Sequence, residues 1–213
     1  MSAIAPSHAV RHGQRPLAHP PAAGRLSEDI AFGTFDSPVG TVLLGLTARG
    51  IRYLALGGSA ADLERGLRAM LPWASFSRNV KVPAPWHDEI VSRLRGAPPR
   101  VDLPLHTEGT PFEEIVWAAL RRIPHGEQRS YQQIAADVGR PTAARAVAQA
   151  CAHNNVAVLI PCHRVVRQTG ELGGYRWGVE RKQALLDAER AAVETGRPAI
   201  ASDAGRVVMC ALA

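Results

Sequence analysis

The sequence predicts an α/β (α+β) fold in two parts: a small N-terminal antiparallel-sheet domain with helices, and a mainly helical C-terminal domain containing a helix-turn-helix. Three observations predict it. Between Ile30 and Gly57, short apolar runs are cut by turn residues, as strands in hairpins are. Two helix-start signatures open at Thr110 and Ser130. A Gly-containing turn, Gly139-Arg140-Pro141, then joins two short helical patterns.

In the first part, Phe35-Asp36-Ser37-Pro38-Val39-Gly40, then Val42-Leu43-Leu44, then Ile51 to Leu56 after Gly50, read as hairpin strands beginning near Asp29. Helical spacing follows over Ala61 to Met70, with Leu63, Leu67 and Met70 on one face, and again over His87 to Leu94. Val101 to Leu105 reads as one more strand. Nothing here has catalytic spacing, so residues 29–107 are expected to form a supporting domain. Residues 1–28 and 193–213 are expected to be disordered tails, the first because it is poor in large apolar residues and rich in Pro and Gly.

The second part, 108–192, carries the stronger signals. Thr110-Pro111-Phe112-Glu113 combines a capping Thr, a Pro at the first helical position and a Glu three residues after the cap. Phe112, Ile115, Val116, Ala119, Leu120 and Ile123 give that helix one buried face. Ser130 and Gln133 form a second capping box opening a helix over Tyr131 to Val138, with Gly139 as its C-cap. The next helix, from about Thr142 to Ala152, sets one long residue, Arg145, among alanines. Small side chains allow close approach to a DNA groove with Arg145 as a wedge, although a generic helical corner with a solvated Arg145 fits the pattern as well.

Val156 to Ile160 is an unbroken apolar run of strand length that delivers Cys162 to its end. An isolated cysteine is more often a small buried hydrophobe than a nucleophile. Its neighbours change the weighting, because a thiol of ordinary pKa about 8.5 needs a base and His163 is adjacent. Adjacent residues in extended chain point to opposite faces, so contact between them requires a turn or a bridging water. Glu189 follows Leu185 and Leu186 at helical spacing in a helix over Val179 to Ala192. It is thus either a buried partner for His163 or an exposed residue at a frayed end. Gly173-Gly174-Tyr175 could close a flat pocket over a base.

Composition sets the outer bounds. The chain has 213 residues, 46% of them hydrophobic, and a formal net charge of +6, which suits a polyanionic partner without proving one. Three cysteines, Cys151, Cys162 and Cys210, with no C-x-x-C pair, argue against a disulfide framework and a thiolate zinc site. With no signal peptide and no membrane-length apolar run, a cytoplasmic location is expected.

Together these residues resemble the O6-alkylguanine-DNA alkyltransferases, densely over Gly109 to Glu189 and loosely over Phe32 to Leu105. The matching segments are Gly109-Thr110-Pro111-Phe112, Ile123-Pro124, Gly126-Glu127, Ser130-Tyr131-Gln132-Gln133-Ile134-Ala135, Ala144-Arg145-Ala146-Val147, Pro161-Cys162-His163-Arg164-Val165 and Gly174-Tyr175. The resemblance implies a ribonuclease-H-like first domain and a single-turnover methyltransferase. Cys162 would irreversibly take a small alkyl group from O6-alkylguanine, and from O4-methylthymine, in duplex DNA. It also implies roles. Cys162 attacks the alkyl carbon, His163 relays the proton through water, Glu189 orients His163, Asn154 buttresses the turn, and Tyr131 helps to expel the base and protonate it. Arg145 fills the gap in the duplex, with Ala144, Thr142 and Gln132 beside it on the DNA. Tyr175, Val165, Gly174, Arg176 and Trp177 form the base pocket.

Where relatives tolerant of bulky adducts carry small residues, this chain has Arg176-Trp177, which implies preference for methyl over benzyl-sized groups. The first half has no cysteine, so no zinc is expected, nor any other cofactor, and neither is the four-cysteine sensing domain of the larger adaptive-response activators, whose C-terminal half the second part resembles. The chain is expected to act as a monomer with no membrane partner. Two other readings share these features: a lesion-binding protein that transfers nothing, and a cysteine hydrolase that turns over.

Overall fold

In the computed structural model, residues 28–78 and 80–196 are described. The outer parts of both expected tails, 1–27 and 197–213, lie outside the described residues, as does Cys210.

Strands β1 (Asp29–Ser37), β2 (Gly40–Thr47) and β3 (Gly50–Gly57) form antiparallel hairpins. Ser37 closes the first turn by donating from Oγ to the Gly40 carbonyl at 2.6 Å, and Gly40 takes a φ of 110° that a side chain would resist. Helices α1 (Ala60–Met70) and α2 (Ala84–Leu94) follow, the first capped by Ser59 and burying Leu63, Leu67 and Met70. Ile30, Leu43, Leu54, Leu67, Ile90 and Leu94 are among the fully buried side chains of this half.

The sheet is not purely antiparallel. Strand β4 (Ser75–Arg78), which has no apolar alternation to betray it, adds parallel to β1 and completes a sheet in the order β3-β2-β1-β4. The strand expected over Val101 to Leu105 reduces to a single bridge between Leu105 and Ile51; Val101 is exposed, so only part of that run finds a partner.

Both capping boxes form. Thr110 Oγ1 accepts from the Glu113 amide at 3.3 Å at the start of α3 (Pro111–Arg121). Ser130 Oγ accepts from the Gln133 amide at 3.1 Å at the start of α4 (Tyr131–Asp137). Gly139 at φ 73° ends α4, and α5 (Ala144–His153) begins two residues later than expected, because Pro141 and Thr142 remain in the turn. Trp117 of α3 donates from Nε1 to the Ala150 carbonyl at 2.8 Å, fixing α5 against it.

Val156 to Ile160 is a tight turn, not a strand. Only Val156 pairs, with Leu54 of β3, and Val158 sits at φ 66°, where a β-branched residue is rare. The run is apolar because it is buried between the two halves, and apolarity without alternation does not specify an extended chain. Helix α6 (Val179–Thr195) is three residues longer than expected, so Glu189 lies inside it and not at a frayed end, and residues 193–195 are helical. Among the described residues no helix is long and apolar enough to cross a membrane.

Candidate active site

Three local devices bring Cys162 to its surroundings. Cys162, His163 and Arg164 form one 3-10 turn, which removes the opposite-face problem of an extended Cys-His pair. The next two residues, β6 (Val165–Val166), pair in parallel with β5 (Arg129–Ser130), so the start of α4 and its Tyr131 are tied directly to the reactive turn. From the other side, Asn154 at the end of α5 reaches the thiol.

Asn154 is fully buried and uses its whole amide. Its Nδ2 donates to Cys162 Sγ at 3.1 Å and to the Ile160 carbonyl at 2.9 Å, while Oδ1 accepts from the Val156 amide at 2.9 Å. One side chain thereby holds the Val156–Ile160 turn and the sulfur together. Burial pushes the Cys162 thiol up, and the Asn154 hydrogen bond and the charges of Lys182 and Arg176 oppose it.

His163 Nε2 lies 2.9 Å from Glu189 Oε1 with both side chains buried. Arg164 donates to the same carboxylate from Nε at 3.0 and 3.2 Å and from Nη2 at 2.9 Å, and from Nη1 to the Ile123 carbonyl at 2.8 Å. Burial would raise the Glu189 pKa, but His163 and Arg164 hold it down at about 2, so it is ionised. Burial also lowers the His163 pKa, Glu189 opposing, which keeps the imidazole neutral. A neutral ring donating Nε2–H to Glu189 has its lone pair on Nδ1. That Nδ1 is buried and has no hydrogen-bond partner among the described residues.

The other residues singled out in the sequence divide into four groups. Tyr131 is half-buried, and burial with the nearby Cys151 and Cys162 pushes its hydroxyl up to about 12, so it keeps its proton at neutral pH. Tyr175 is buried, its hydroxyl has no hydrogen-bond partner among the described residues, and its ring meets Trp177 edge-on at 5.1 Å. Arg145, Thr142 and Gln132 are exposed, Ala144 is half-buried, and Gln132 donates to the Pro141 carbonyl across the helix turn. Arg176 instead turns its guanidinium towards Asn154 and Asn155.

Two site residues, Lys182 and Arg164, escaped the sequence reading, and Gly173, read there as part of a pocket-closing loop, takes a more specific part. Lys182 is fully buried on α6 and donates from Nζ to the Val165 carbonyl at 2.5 Å. Its spacing with Leu185, Leu186 and Glu189 was the available signal, overruled by the habit of lysines to be exposed. Arg164 lay within the quoted motif but was given no part. Gly173 matters for room: a Cβ there would stand 2.5 Å from the Tyr131 hydroxyl, whereas Gly174 has open space. A cavity of about 300 Å3 is lined by Pro161, Arg164 and Glu189 but by neither Cys162 nor Tyr175, so it adjoins the relay without being the pocket in front of the thiol.

Comparison with known proteins agrees with this geometry. Residues 111–191 match the DNA-binding domain of 6-O-methylguanine DNA methyltransferase. The chain is 41% identical over 186 residues to the bifunctional transcriptional activator/DNA repair enzyme Ada of Escherichia coli, covering 84% of this chain and 48% of that protein. It thus spans about half the length of that relative and of the regulatory protein ada of Salmonella typhimurium, of which it covers 45%. Against the methylated-DNA–protein-cysteine methyltransferase of Mycobacterium bovis it is 38% identical over 166 residues, 76% of this chain and 93% of that one. The crystal structure of Mycobacterium tuberculosis OGT in complex with DNA superposes with a TM-score of 0.64 at 34% identity, covering 76% and 93% of the two chains. A thiol-bearing turn beside a helix-turn-helix, with relatives matched over nearly their full length, places this chain in the O6-methylguanine-DNA methyltransferase family.

Proposed function

We propose that this protein repairs DNA by direct reversal, moving a methyl or other small alkyl group from O6-alkylguanine, and from O4-methylthymine, in duplex DNA onto its own Cys162, once per molecule. The observation that carries the reading is the buried Cys162 thiol, held by Asn154 Nδ2 at 3.1 Å beside a neutral His163.

The steps balance on these residues. The exposed α4–α5 corner takes the duplex, Arg145 fills the space left by an extruded base, and Gln132, Thr142 and Ala144 line the contact. The base stacks at Tyr175, walled by Trp177 and the Gly174 backbone, with the Cys162 and Val165 carbonyls accepting from its amine. The Cys162 thiol proton passes through water to His163 Nδ1, and Glu189 stabilises the imidazolium. Sulfur attacks the alkyl carbon, the carbon–O6 bond breaks, and its electron pair stays with the guanine. Tyr131 gives a proton to the ring, so neutral guanine leaves, and recovers one from His163. The thioether does not hydrolyse, which makes the protein a single-turnover enzyme.

Residues 29–107 serve as the ribonuclease-H-like scaffold and 108–192 as the DNA-binding and reactive domain. DNA as substrate places the protein with the DNA in the cytoplasm. Mass spectrometry of the intact protein after incubation with O6-methylguanine duplex tests the reading: one methyl on Cys162, and none in Cys162→Ser, is expected. Repair by Cys162→Ser would defeat it, binding without transfer would point to a lesion-binding protein, and multiple turnovers to a hydrolase.

A further inference from the structure

Arg176 stands between Tyr175 and Trp177 in sequence; its guanidinium lies 6.0 Å from the Trp177 ring centroid and also hydrogen-bonds the chain between α5 and the Val156–Ile160 turn. Nη1 donates to the Asn154 carbonyl at 3.2 Å and to Asn155 Oδ1 at 2.9 Å. These two asparagines carry the chain from α5 into the Val156–Ile160 turn, and the Asn155 carbonyl in turn accepts from the Leu54 amide of β3 at 2.9 Å. Asn154 is also the residue whose side chain holds Cys162 Sγ. Asn154 is therefore held by Arg176 at its backbone carbonyl and holds the sulfur through its side-chain amide.

The partners of Arg176 are all neutral. Among the described residues no carboxylate pairs with it, whereas Arg164, two residues from the thiol, is saturated by Glu189. A partly buried cation lacking a counter-ion is costly unless some nearby group becomes an anion. Cys162 and Tyr53 are the groups whose anions favour the Arg176 charge, and burial holds the Tyr53 proton on. Facing Cys162 from the other elements are Tyr131 of α4, Cys151 of α5, Tyr175 and Lys182 of α6. Tyr131, Cys151 and Tyr175 are all pushed towards the protonated form by burial, so they place no competing anion beside the sulfur at neutral pH.

We propose that Arg176 is a positioning residue for the alkyl-accepting thiol: it clamps Asn154 and joins the Lys182 ammonium in supplying positive charge that an ionised Cys162 neutralises. The proposal rests on Cys162 being the acceptor. It gives Arg176 a place behind the sulfur, not a contact with the base.

Two variants separate charge from shape. Arg176→Gln keeps an amide donor and loses the charge; Asn155→Asp keeps the acceptor and sets a carboxylate against the guanidinium. The rate of Cys162 alkylation by iodoacetamide, followed by peptide mass mapping across pH, should show the midpoint of ionisation rising by about one unit in each. That amounts to about tenfold slower reaction at neutral pH, the deficit shrinking in alkali. Arg176→Lys, with charge retained, should stay within about threefold of the wild type. Wild-type midpoints in both Arg176→Gln and Asn155→Asp would overturn the proposal; if Arg176→Gln gives no cooperative melt, Asn155→Asp alone decides. A wild-type protein that shows this thiol profile but takes no methyl from DNA would defeat the repair reading and leave the role of Arg176 standing.

Discussion

Arg164 grips the Glu189 carboxylate through Nε at 3.0 Å and Nη2 at 2.9 Å, with less than a tenth of either side chain exposed. The carboxylate is held ionised by His163 and by its neighbour Arg164 together, so imidazole and counter-charge are built from one turn of chain and one helix.

This ion pair makes stability fall in acid. Glu189, at about 2 when folded against about 4.3 when unfolded, contributes stability above pH 4.3 that is lost as pH falls towards 2. His163, lowered by burial, acts in the same direction below about 6.5, because the unfolded chain takes up its proton first. Glu189→Gln should cost about 3 kcal/mol at neutral pH by leaving Arg164 unpaired, and should flatten the acid limb of a denaturant-melt series. An unchanged slope between about pH 4.3 and 2 would contradict the pairing.

Arg145 lies on the exposed face of α5, away from the thiol relay. Arg145→Ala should slow repair of duplex substrate about a hundredfold, the scale expected when a reacting group is misplaced, and leave iodoacetamide alkylation of Cys162 as it was. Equal losses in both assays would remove the wedge role.

Gly173 is needed where Tyr131 comes closest. Adding a Cβ 2.5 Å from the Tyr131 hydroxyl and 2.9 Å from its ring forces that side chain to move. Gly173→Ala should therefore lower the rate of methyl transfer about tenfold or more with little change in melting temperature. A rate equal to wild type would show that Tyr131 tolerates displacement and is not the proton donor.

Tyr175 and the buried Trp177 meet edge-on in the base pocket proposed above. Free benzylguanine should inactivate the protein poorly, and Trp177→Gly should increase its inactivation rate at least tenfold. Efficient inactivation of the wild type would reject the predicted preference for methyl over benzyl.

Local chemistry was legible in the sequence and distant packing was not. Thr110 with Glu113 and Ser130 with Gln133 announce α3 and α4 because a capping box is complete within four residues. Glu189 could be placed on an inward face by its spacing to Leu185 and Leu186, but whether it met His163 depended on where α6 docks. β4 is legible only once β1 offers an edge, and the turn at Val158 only once Leu54 and Asn154 grip its ends. Arg176 was assigned to the pocket by its neighbours, since sequence position says nothing about which way a long side chain turns.

Helix α6 follows every other part of the site in the chain. Arg181 donates to the Val39 carbonyl at 2.9 Å, Lys182 to the Val165 carbonyl, and Glu189 receives His163 and Arg164. A growing polypeptide therefore brings Cys162 out of the ribosome ahead of Arg181, Lys182 and Glu189. Until α6 arrives, its imidazole lacks an orienting carboxylate and its turn lacks the Lys182 tether. The thiol gains its full surroundings only when α6 docks onto the turn that carries it.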